Sequence, residues 1–352
     1  MLSSIPVREN QPKSCCFIIP LNILRNYARD TSLSSQARTK LQETFAETGR
    51  LRMIREANRI ASVTYRRSVV SAVEEVAVVQ QELFDCRQRQ SLPGRPVHNP
   101  DSSPNPDVKT VYSVTANVAE FYKSILNRTS VDNQGLDLVS SVHYRVHFDN
   151  AFWNGQQMVY GDGDGELFVE FYKSPDVIGH ELTHGVTQYE SGLQYEGESG
   201  ALNESISDVF GAVFNQWLNK WPTNDAKGWL IGAGIMGPQA RAKGKTCLRD
   251  MVNPSAAHCL SPQPDSYKNF DPSADVHENS GIPNKAFAQF AQGVGGNAWD
   301  RAIKVWYRAC TDRRLSSTAM FVDFARLTID AAQKEGLEAP AQAAWQSVAL
   351  PL

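Results

Sequence analysis

The chain has 352 residues, more than one hydrophobic core usually serves, so two core-forming lobes and a smaller piece are expected. Its hydrophobic content of 41% is ordinary for a globular protein, and no run approaches the roughly 18 apolar residues of a membrane-spanning helix. A formal net charge of −3 argues against a general nucleic-acid binder.

Residues 1–70 are the basic part of the chain, with 12 Lys+Arg and 5 Asp+Glu; the remainder carries 23 and 33. The front is therefore +7 and the body −10. Two amphipathic helices are expected in this front, Leu21–Ala28 and Gln36–Ala46, followed by an Arg-rich stretch through Arg67. Lys13 and the run Cys15–Leu24 superficially resemble a secretory signal, but Pro20 and Asn22 interrupt the run and no A-x-A-like site follows. The six cysteines (Cys15, Cys16, Cys86, Cys247, Cys259, Cys310) are too few and too irregular for a disulfide framework and are read mostly as reduced or buried thiols.

From Val76 to Arg95 the pattern is strand-like and ends in a Leu92-Pro93-Gly94 turn. A loop over Pro96–Asp107 precedes a helix at about Ser113–Leu126, and Leu138–His147 alternates as strands do. Asn150–Glu170 combines aromatic residues with a Gly-rich run at 161–165, read as a tight turn rather than a calcium loop. Beyond Asp176 the periodicity is helical: Val177–Tyr189, Gly200–Leu218, Asn284–Phe290, Ala298–Tyr307, Ser317–Lys334 and Ala341–Val348. The expected architecture is α+β, with a front piece at 1–70, a β-rich lobe at 71–188 and an all-α lobe at 189–352.

His180-Glu181-Leu182-Thr183-His184 places two imidazoles four residues apart, on one helix face and one turn apart. Two neutral imidazoles can bind one Zn²⁺ at about 2.0–2.1 Å, while the intervening Glu181 projects toward a metal-bound water. A catalytic zinc site wants a third protein ligand. Glu204 and Asp208, again four apart, can supply it: Glu204 as ligand, Asp208 as acceptor of the second N–H of a ligating histidine. Two solvated helical carboxylates is the plainer alternative.

With HELTHG, Tyr189, Gly192-Leu193, Tyr195, ESGALNE and SDVFG in register over Asp176–Gly211, the sequence closely resembles the thermolysin family of zinc metalloproteases. The stretches Asn150–Gly155, Met158–Gly163 and Asn279–Ala286 match as well, and the resemblance covers roughly residues 76–352. The opening Phe17-Ile18-Ile19-Pro20-Leu21 with Leu24-Arg25 is similar to the compact pro-segment of the protealysin-like branch, although Pro20-Leu21-Asn22 stands where that branch usually has Pro-Pro-aromatic.

The resemblance implies His180, His184 and Glu204 as zinc ligands, and Glu181 as general base toward the zinc-bound water. It implies His277 and Tyr195 as donors to the oxyanion, with Asp271 or Asp275 substituting for the family's aspartate where Pro272 stands. Taken alone, His277 reads as a surface histidine and Tyr195 as a half-buried aromatic. Arg249 matches the arginine that holds the substrate backbone, against a plain reading as a surface salt bridge. Asn150, Ala151 and Trp153 fall on the strand edge that aligns an extended peptide. Phe168, Phe171, Val177, Ile231 and Leu248 match the lining of the pocket beyond the scissile bond, which implies cleavage on the amino side of bulky hydrophobic residues; each is also plausible as simple core.

Four further expectations complete the reading, the first two from the resemblance and the others also from charge, hydropathy and the interrupted apolar run at the front. The front segment should be an intramolecular inhibitor, so that the enzyme is made as an autoinhibited precursor, with Cys15 or Cys16 as a thiolate that could approach the zinc. Calcium should be absent at the family's paired site, because only Asp176 keeps its place while Asn215, Gly228, Leu230 and Ala233 replace acidic residues. Protein or peptide substrates, and neither nucleic acid nor a membrane span, are the expected partners. Without a convincing secretory signal, the chain should be made in the cytoplasm and exported by a non-classical route to act extracellularly. An inactive zinc-bearing binding protein would require drift in Glu181 or the ligands, and none has drifted; an aminopeptidase would require a further acidic anchor, whereas the open edge around Asn150–Trp153 favours internal cleavage.

Overall fold

The computed structural model describes residues 16–62 and 79–352, so the boundary expected near residue 70, Cys15 and the end of the Arg-rich stretch at Arg66 and Arg67 lie outside the described residues. The front piece consists of a short strand β1 (Cys16–Phe17), helix α1 (Leu21–Tyr27) and a long helix α2 (Ser35–Ser62). Helix α2 runs well past the expected end at Ala46 and through Gly49, which stands in open space. Its buried Thr44, Glu47 and Thr48 and the partly buried Leu51 share one face against the body, so tertiary packing overrides a local stop.

The first lobe contains β2 (Gln81–Asp85), β3 (Arg95–Pro96), α3 (Pro106–Leu126), β4 (Leu138–Val142), β5 (Ala151–Trp153) and β6 (Met158–Tyr160). Helix α3 starts earlier than Ser113 because Asn105 caps it, its side chain accepting from the Asp107 N–H at 2.9 Å, with Pro106 in the first turn. The six strands form one sheet in the order β1-β5-β6-β4-β2-β3; β2–β4 and β4–β6 are parallel and the other pairs antiparallel. The front piece thus provides the edge strand beside β5.

The Gly-Asp-Gly-Asp-Gly run is a tight turn. Gly163 and Gly165 adopt φ of +71° and +81°, and one Asp164 oxygen accepts from the N–H groups of Glu166, Leu167 and Phe168.

The second half is helical: α4 (Pro175–Tyr189), α5 (Gly197–Asn219), α6 (Pro238–Ala242), α7 (Val276–Asn279), α8 (Gly281–Val294), α9 (Ala302–Cys310), α10 (Phe321–Gln333) and α11 (Glu338–Ser347). A two-stranded ribbon of β7 (Leu230–Ile231) and β8 (Arg249–Asp250) lies between α5 and α7 in sequence. Trp306 anchors the helical core, stacked with Phe290 at 5.0 Å and Trp345 at 6.0 Å between ring centroids. One continuous apolar cluster runs through both lobes, because α4 and α5 are buried along most of their length and join them.

Candidate metal centre and active site

Helices α4 and α5 meet through glycines. A Cβ on Gly211 would lie 2.5 Å from the Asp176 carbonyl oxygen, and one on Gly179 would lie 3.1 Å from Gly211 Cα. Hydrogen on both positions lets the helices approach closely enough for Glu204 to reach the histidines of α4. His180 Nε2 and His184 Nε2 stand 2.9 Å apart, and lie 3.4 Å and 3.5 Å from the two Glu204 carboxylate oxygens. All three side chains are buried.

The outer ring nitrogens are held from behind. His180 Nδ1 is 2.9 Å from Asp208 and His184 Nδ1 is 2.8 Å from Asn203 Oδ1. With Nδ1–H donated in each case, both Nε2 lone pairs point at the space Glu204 also faces, an arrangement that repels unless a cation or proton sits there. His180 is the more basic of the two rings. Burial opposes its charge, but hydrogen bonds to Asp208 and Glu204 win and push its pKa up to about 10. Burial drives His184 the other way, down to about 3. Burial also opposes ionisation of Glu204, yet His277, His184 and His180 together hold its carboxyl well below the usual range. Three convergent donors of two imidazoles and a carboxylate are the donor set of a catalytic zinc site, and the residues present fit that ion.

Glu181 occupies the same helix turn. Both its carboxylate oxygens are buried without a hydrogen-bond partner, and burial pushes its pKa up to about 8. Around Glu204, Tyr195 Oη donates to the carboxylate and stands 3.2 Å from His277 Nε2. His277 Nδ1 is 2.5 Å from Asp275, while Asp271 bonds instead to Ser273 and the Asn279 region; of the two aspartates, Asp275 supports the ring. His277 is fully buried, unlike the surface histidine that a lone position suggests.

Arg249 is likewise buried and not a surface salt bridge. Its Nε and Nη2 donate to the two Asp208 oxygens at 2.8 and 2.6 Å, and its Nη1 donates to the Ile18 carbonyl at 3.1 Å. Asp208 therefore serves His180, Arg249 and, through a 2.9 Å bond from its side-chain amide, Asn284. Burial works against its ionisation, but Arg249 and His180 hold its pKa down at about 2.

Sequence reasoning missed the supporting roles of Asn203 and Asn284. The i, i+4 spacing of Asn203 with Ser207, which also reaches His184 Nδ1 at 3.0 Å, is the available signal for the first.

The front piece lies across this centre. Strand β1 pairs antiparallel with β5, Cys16 opposite Trp153 and Phe17 opposite Phe152. The Phe17 carbonyl accepts from His277 Nε2, and the Ile18 N–H donates to the Ala151 carbonyl at 3.2 Å. Ile19 is clasped by the Asn150 side chain, its N–H donating at 2.9 Å and its carbonyl accepting at 3.1 Å. Trp153 contributes its backbone to this edge, while its ring packs under Gly185 of α4 and its Nε1 donates to Gln188 at 2.9 Å. Cys16 is buried and is not one of the clustered donors. Phe168, Phe171, Val177, Ile231 and Leu248 are all fully buried in the apolar cluster that also contains Ile18.

At the expected calcium position, Asp176 is already satisfied. One carboxylate oxygen accepts from Ser174 Oγ and the other from the Gly232 N–H, each at 2.5 Å. The side-chain amide of Gln216 fills the space beside Gly228 and donates to its carbonyl at 2.9 Å. Trp229 and Ile231 are buried here, whereas Trp221 is only partly so.

Comparison with known proteins agrees with this geometry. Residues 43–188 match the model of the thermolysin metallopeptidase catalytic domain, and residues 191–350 match the model of its alpha-helical domain. An extracellular metalloprotease of Pectobacterium carotovorum subsp. carotovorum is 40% identical over 76% of this chain and 80% of its own length. Protease PrtS of a Photorhabdus species is 34% identical over 95% of this chain and 91% of its own. Among solved structures, the precursor of protealysin, a metalloproteinase from Serratia proteamaculans, superposes with a TM-score of 0.78 at 34% identity, covering 96% of this chain and all of that one. With both halves matched in order and a zinc-type donor set at their junction, the chain belongs to the thermolysin family of zinc-dependent metallopeptidases.

Proposed function

We propose that His180, His184 and Glu204 hold one zinc ion, and that the enzyme is an endopeptidase cleaving on the amino side of bulky hydrophobic residues. In this reading it is made as a precursor inhibited by its own front segment. The observation that carries the proposal is the convergence of three donors beside the unpartnered carboxylate of Glu181, with a peptide strand laid across them.

Zinc bound there supplies a Lewis acid and lowers the pKa of a coordinated water. Glu181 takes the proton of the attacking water on a carboxylate oxygen and delivers it to the departing amine nitrogen. Tyr195 Oη and His277 Nε2 converge from the other side and donate to the oxygen on which negative charge develops. Asp275 fixes the His277 ring, and Asp208 fixes both His180 and Arg249, so one carboxylate couples metal binding to substrate alignment.

The path of β1 supports the specificity. The carbonyl of Phe17 meets His277 and the next carbonyl, of Ile18, meets Arg249, so the Phe17–Ile18 bond runs where a scissile bond would. In this reading Ile18 is the residue that takes the pocket of Phe168, Phe171, Val177, Ile231 and Leu248, with which it shares one apolar cluster. One methylene in such a pocket is worth only about 1–3 kcal/mol, so Leu, Phe and Ile should all serve.

The same strand supports inhibition. It occupies by β-augmentation the edge formed by Asn150, Ala151 and Trp153, where an extended substrate would align. Backbone carbonyls, rather than a Cys16 thiolate, face the catalytic groups. Because a relative is named an extracellular metalloprotease, we place the working enzyme outside the cell, exported by a non-classical route. Calcium is not needed at Asp176, whose oxygens are already engaged by the protein.

Replacing Glu181 with Gln tests the mechanism. Zinc content should stay near that of the unaltered protein while peptide hydrolysis falls about 10²–10⁴-fold, because the amide cannot accept the water's proton. Near-normal cleavage by that variant would overturn it.

A further inference from the structure

The loop that delivers Arg249 gathers a second set of metal-type donors. Cys247 and Cys259 face each other across a parallel bridge, both buried and not disulfide-bonded, with their sulfurs 4.0 Å apart. Hydrogen bonds from the Leu260 N–H to the Cys247 carbonyl at 2.8 Å and from the Thr246 N–H to the His258 carbonyl at 3.0 Å fix their register. A ring nitrogen of His258 completes the set, with the donor atoms of all three residues within 4.8 Å of one another.

We propose that Cys247, His258 and Cys259 bind one soft divalent cation of the zinc class, at a site separate from the catalytic centre. Two thiolates about 2.3 Å from a tetrahedral zinc stand about 3.8 Å apart, close to the separation here, whereas a disulfide needs about 2.0 Å. His258 Nε2 lies 3.1 Å from Asp250 Oδ2; in the tautomer that donates to this carboxylate, Nδ1 is the nitrogen left to ligate. A carboxylate behind a ligating imidazole is the usual support of a metal-bound histidine. The other Asp250 oxygen is occupied by the N–H groups of Val252 and Asn253, so the carboxylate is itself held in place.

The His258 side chain is 38% exposed, which provides an entry path and room for a water as fourth ligand. Two sulfurs and an imidazole select zinc or cadmium over the hard calcium and magnesium ions. Lys245 donates to the Ala257 and Cys259 carbonyls at 2.8 and 3.0 Å, adding positive charge near the thiolates. A cation bound here ties the strand carrying Leu248 and Arg249 to the segment over residues 256–261. That segment already donates a backbone hydrogen bond from Ser261 to the Leu248 carbonyl at 3.0 Å. The site would hold the substrate-aligning arginine without touching substrate.

Cobalt(II) tests this directly, because the His180, His184 and Glu204 centre contains no sulfur. The full chain is reduced, stripped of metal without oxygen and titrated with Co²⁺ while thiolate-to-cobalt charge-transfer absorption is followed in the near ultraviolet. The expected result is a charge-transfer band that saturates at one cobalt beyond the catalytic ion. It should vanish in Cys259→Ser and survive in Cys310→Ser, and Asp250→Asn should weaken the affinity by about 10–100-fold. Absence of the band from the unaltered chain, its persistence in Cys259→Ser, or recovery of a Cys247–Cys259 cystine from the protein as purified would each overturn the proposal.

Discussion

The helix pair α4/α5 and the edge strand β1 converge on the same few ångströms, but they are built in opposite ways. In the helix pair the functional positions are side chains at a fixed helical spacing, and each histidine is backed by a second side chain: His180 by Asp208, His184 by Asn203. At the edge strand the bonds run largely through the backbone. The carbonyls of Phe17, Ile18 and Ile19 and the N–H groups of Ile18 and Ile19 make the contacts, and Asn150, Arg249 and His277 answer with side chains. Side chains at fixed spacing bind one ion tightly, whereas a backbone-read strand can be exchanged for any extended peptide. Such a centre can then be covered by a segment that resembles its substrate.

The largest effect should come from breaking the helix-pair side at its shared support. Asp208→Asn removes a charge that serves His180 and Arg249 together, so zinc affinity should fall about 10–100-fold, read by competition with a chelator of known affinity. Hydrolysis should fall further than metal loss explains, even at saturating zinc, because Arg249 loses its bidentate partner. If full zinc loading restored normal hydrolysis, Asp208 would support the metal alone.

On the strand side, Asn150→Ala removes both bonds to Ile19, each worth about 0.5–1.5 kcal/mol. Inhibition by the separate front segment should weaken by roughly 5–100-fold, and the KM for peptides should rise with it. A loss of inhibition with KM unchanged would mean that segment and substrate use different edges.

The ion pairs around the strand sharpen the comparison further. The +7 front and −10 body suggest general attraction, but among the described residues the pairs run both ways: Arg52 to Asp275 at 2.8 Å, yet Glu47 to Arg145 at 3.3 Å and Asp30 to Lys243. Local complementarity, rather than net charge, is therefore expected to set the docking. Arg52→Ala touches the aspartate that holds His277 and should cost about 1.5–3 kcal/mol of docking, roughly 10–100-fold in inhibition constant. Asp30→Asn breaks a pair at the solvent edge and should change that constant by at most about fivefold. Equal effects of the two would favour the net-charge account.

The smallest expected effect is that of calcium. With both Asp176 oxygens bonded to Ser174 and Gly232, added calcium should leave the thermal midpoint of the zinc-loaded protein almost unchanged. A large rise, of the kind mass action gives for a tight native-state ligand, would mean that the acceptors at this site are rearranged.

What was legible in the sequence follows the same division. Residues such as His180, Glu181, His184, Glu204 and Asp208 sit on single helices, where four-residue spacing alone fixes a shared face. His277, Tyr195 and Arg249 lie on separate segments, and only resemblance to a family singled them out. The choice of Asp275 over Asp271 depended on the turn entering α7, where Asp275 is the N-cap and so already faces back toward His277. The continuation of α2 past Ala46 was hidden because its buried face packs against the body rather than against its own neighbours in sequence. The pairing of Cys247 with Cys259 was hidden for a similar reason, since a bridge between two irregular segments has no periodicity.

The central claim, that a zinc peptidase centre is covered by a substrate-like strand of the same chain, meets its most direct test in one inhibition measurement. A chain lacking residues 1 to about 70, with its zinc content measured, is assayed on a peptide substrate with and without the separate front segment. The account predicts inhibition that is competitive with substrate and relieved by Asn150→Ala. Undiminished hydrolysis at segment concentrations far above the substrate's KM would contradict it.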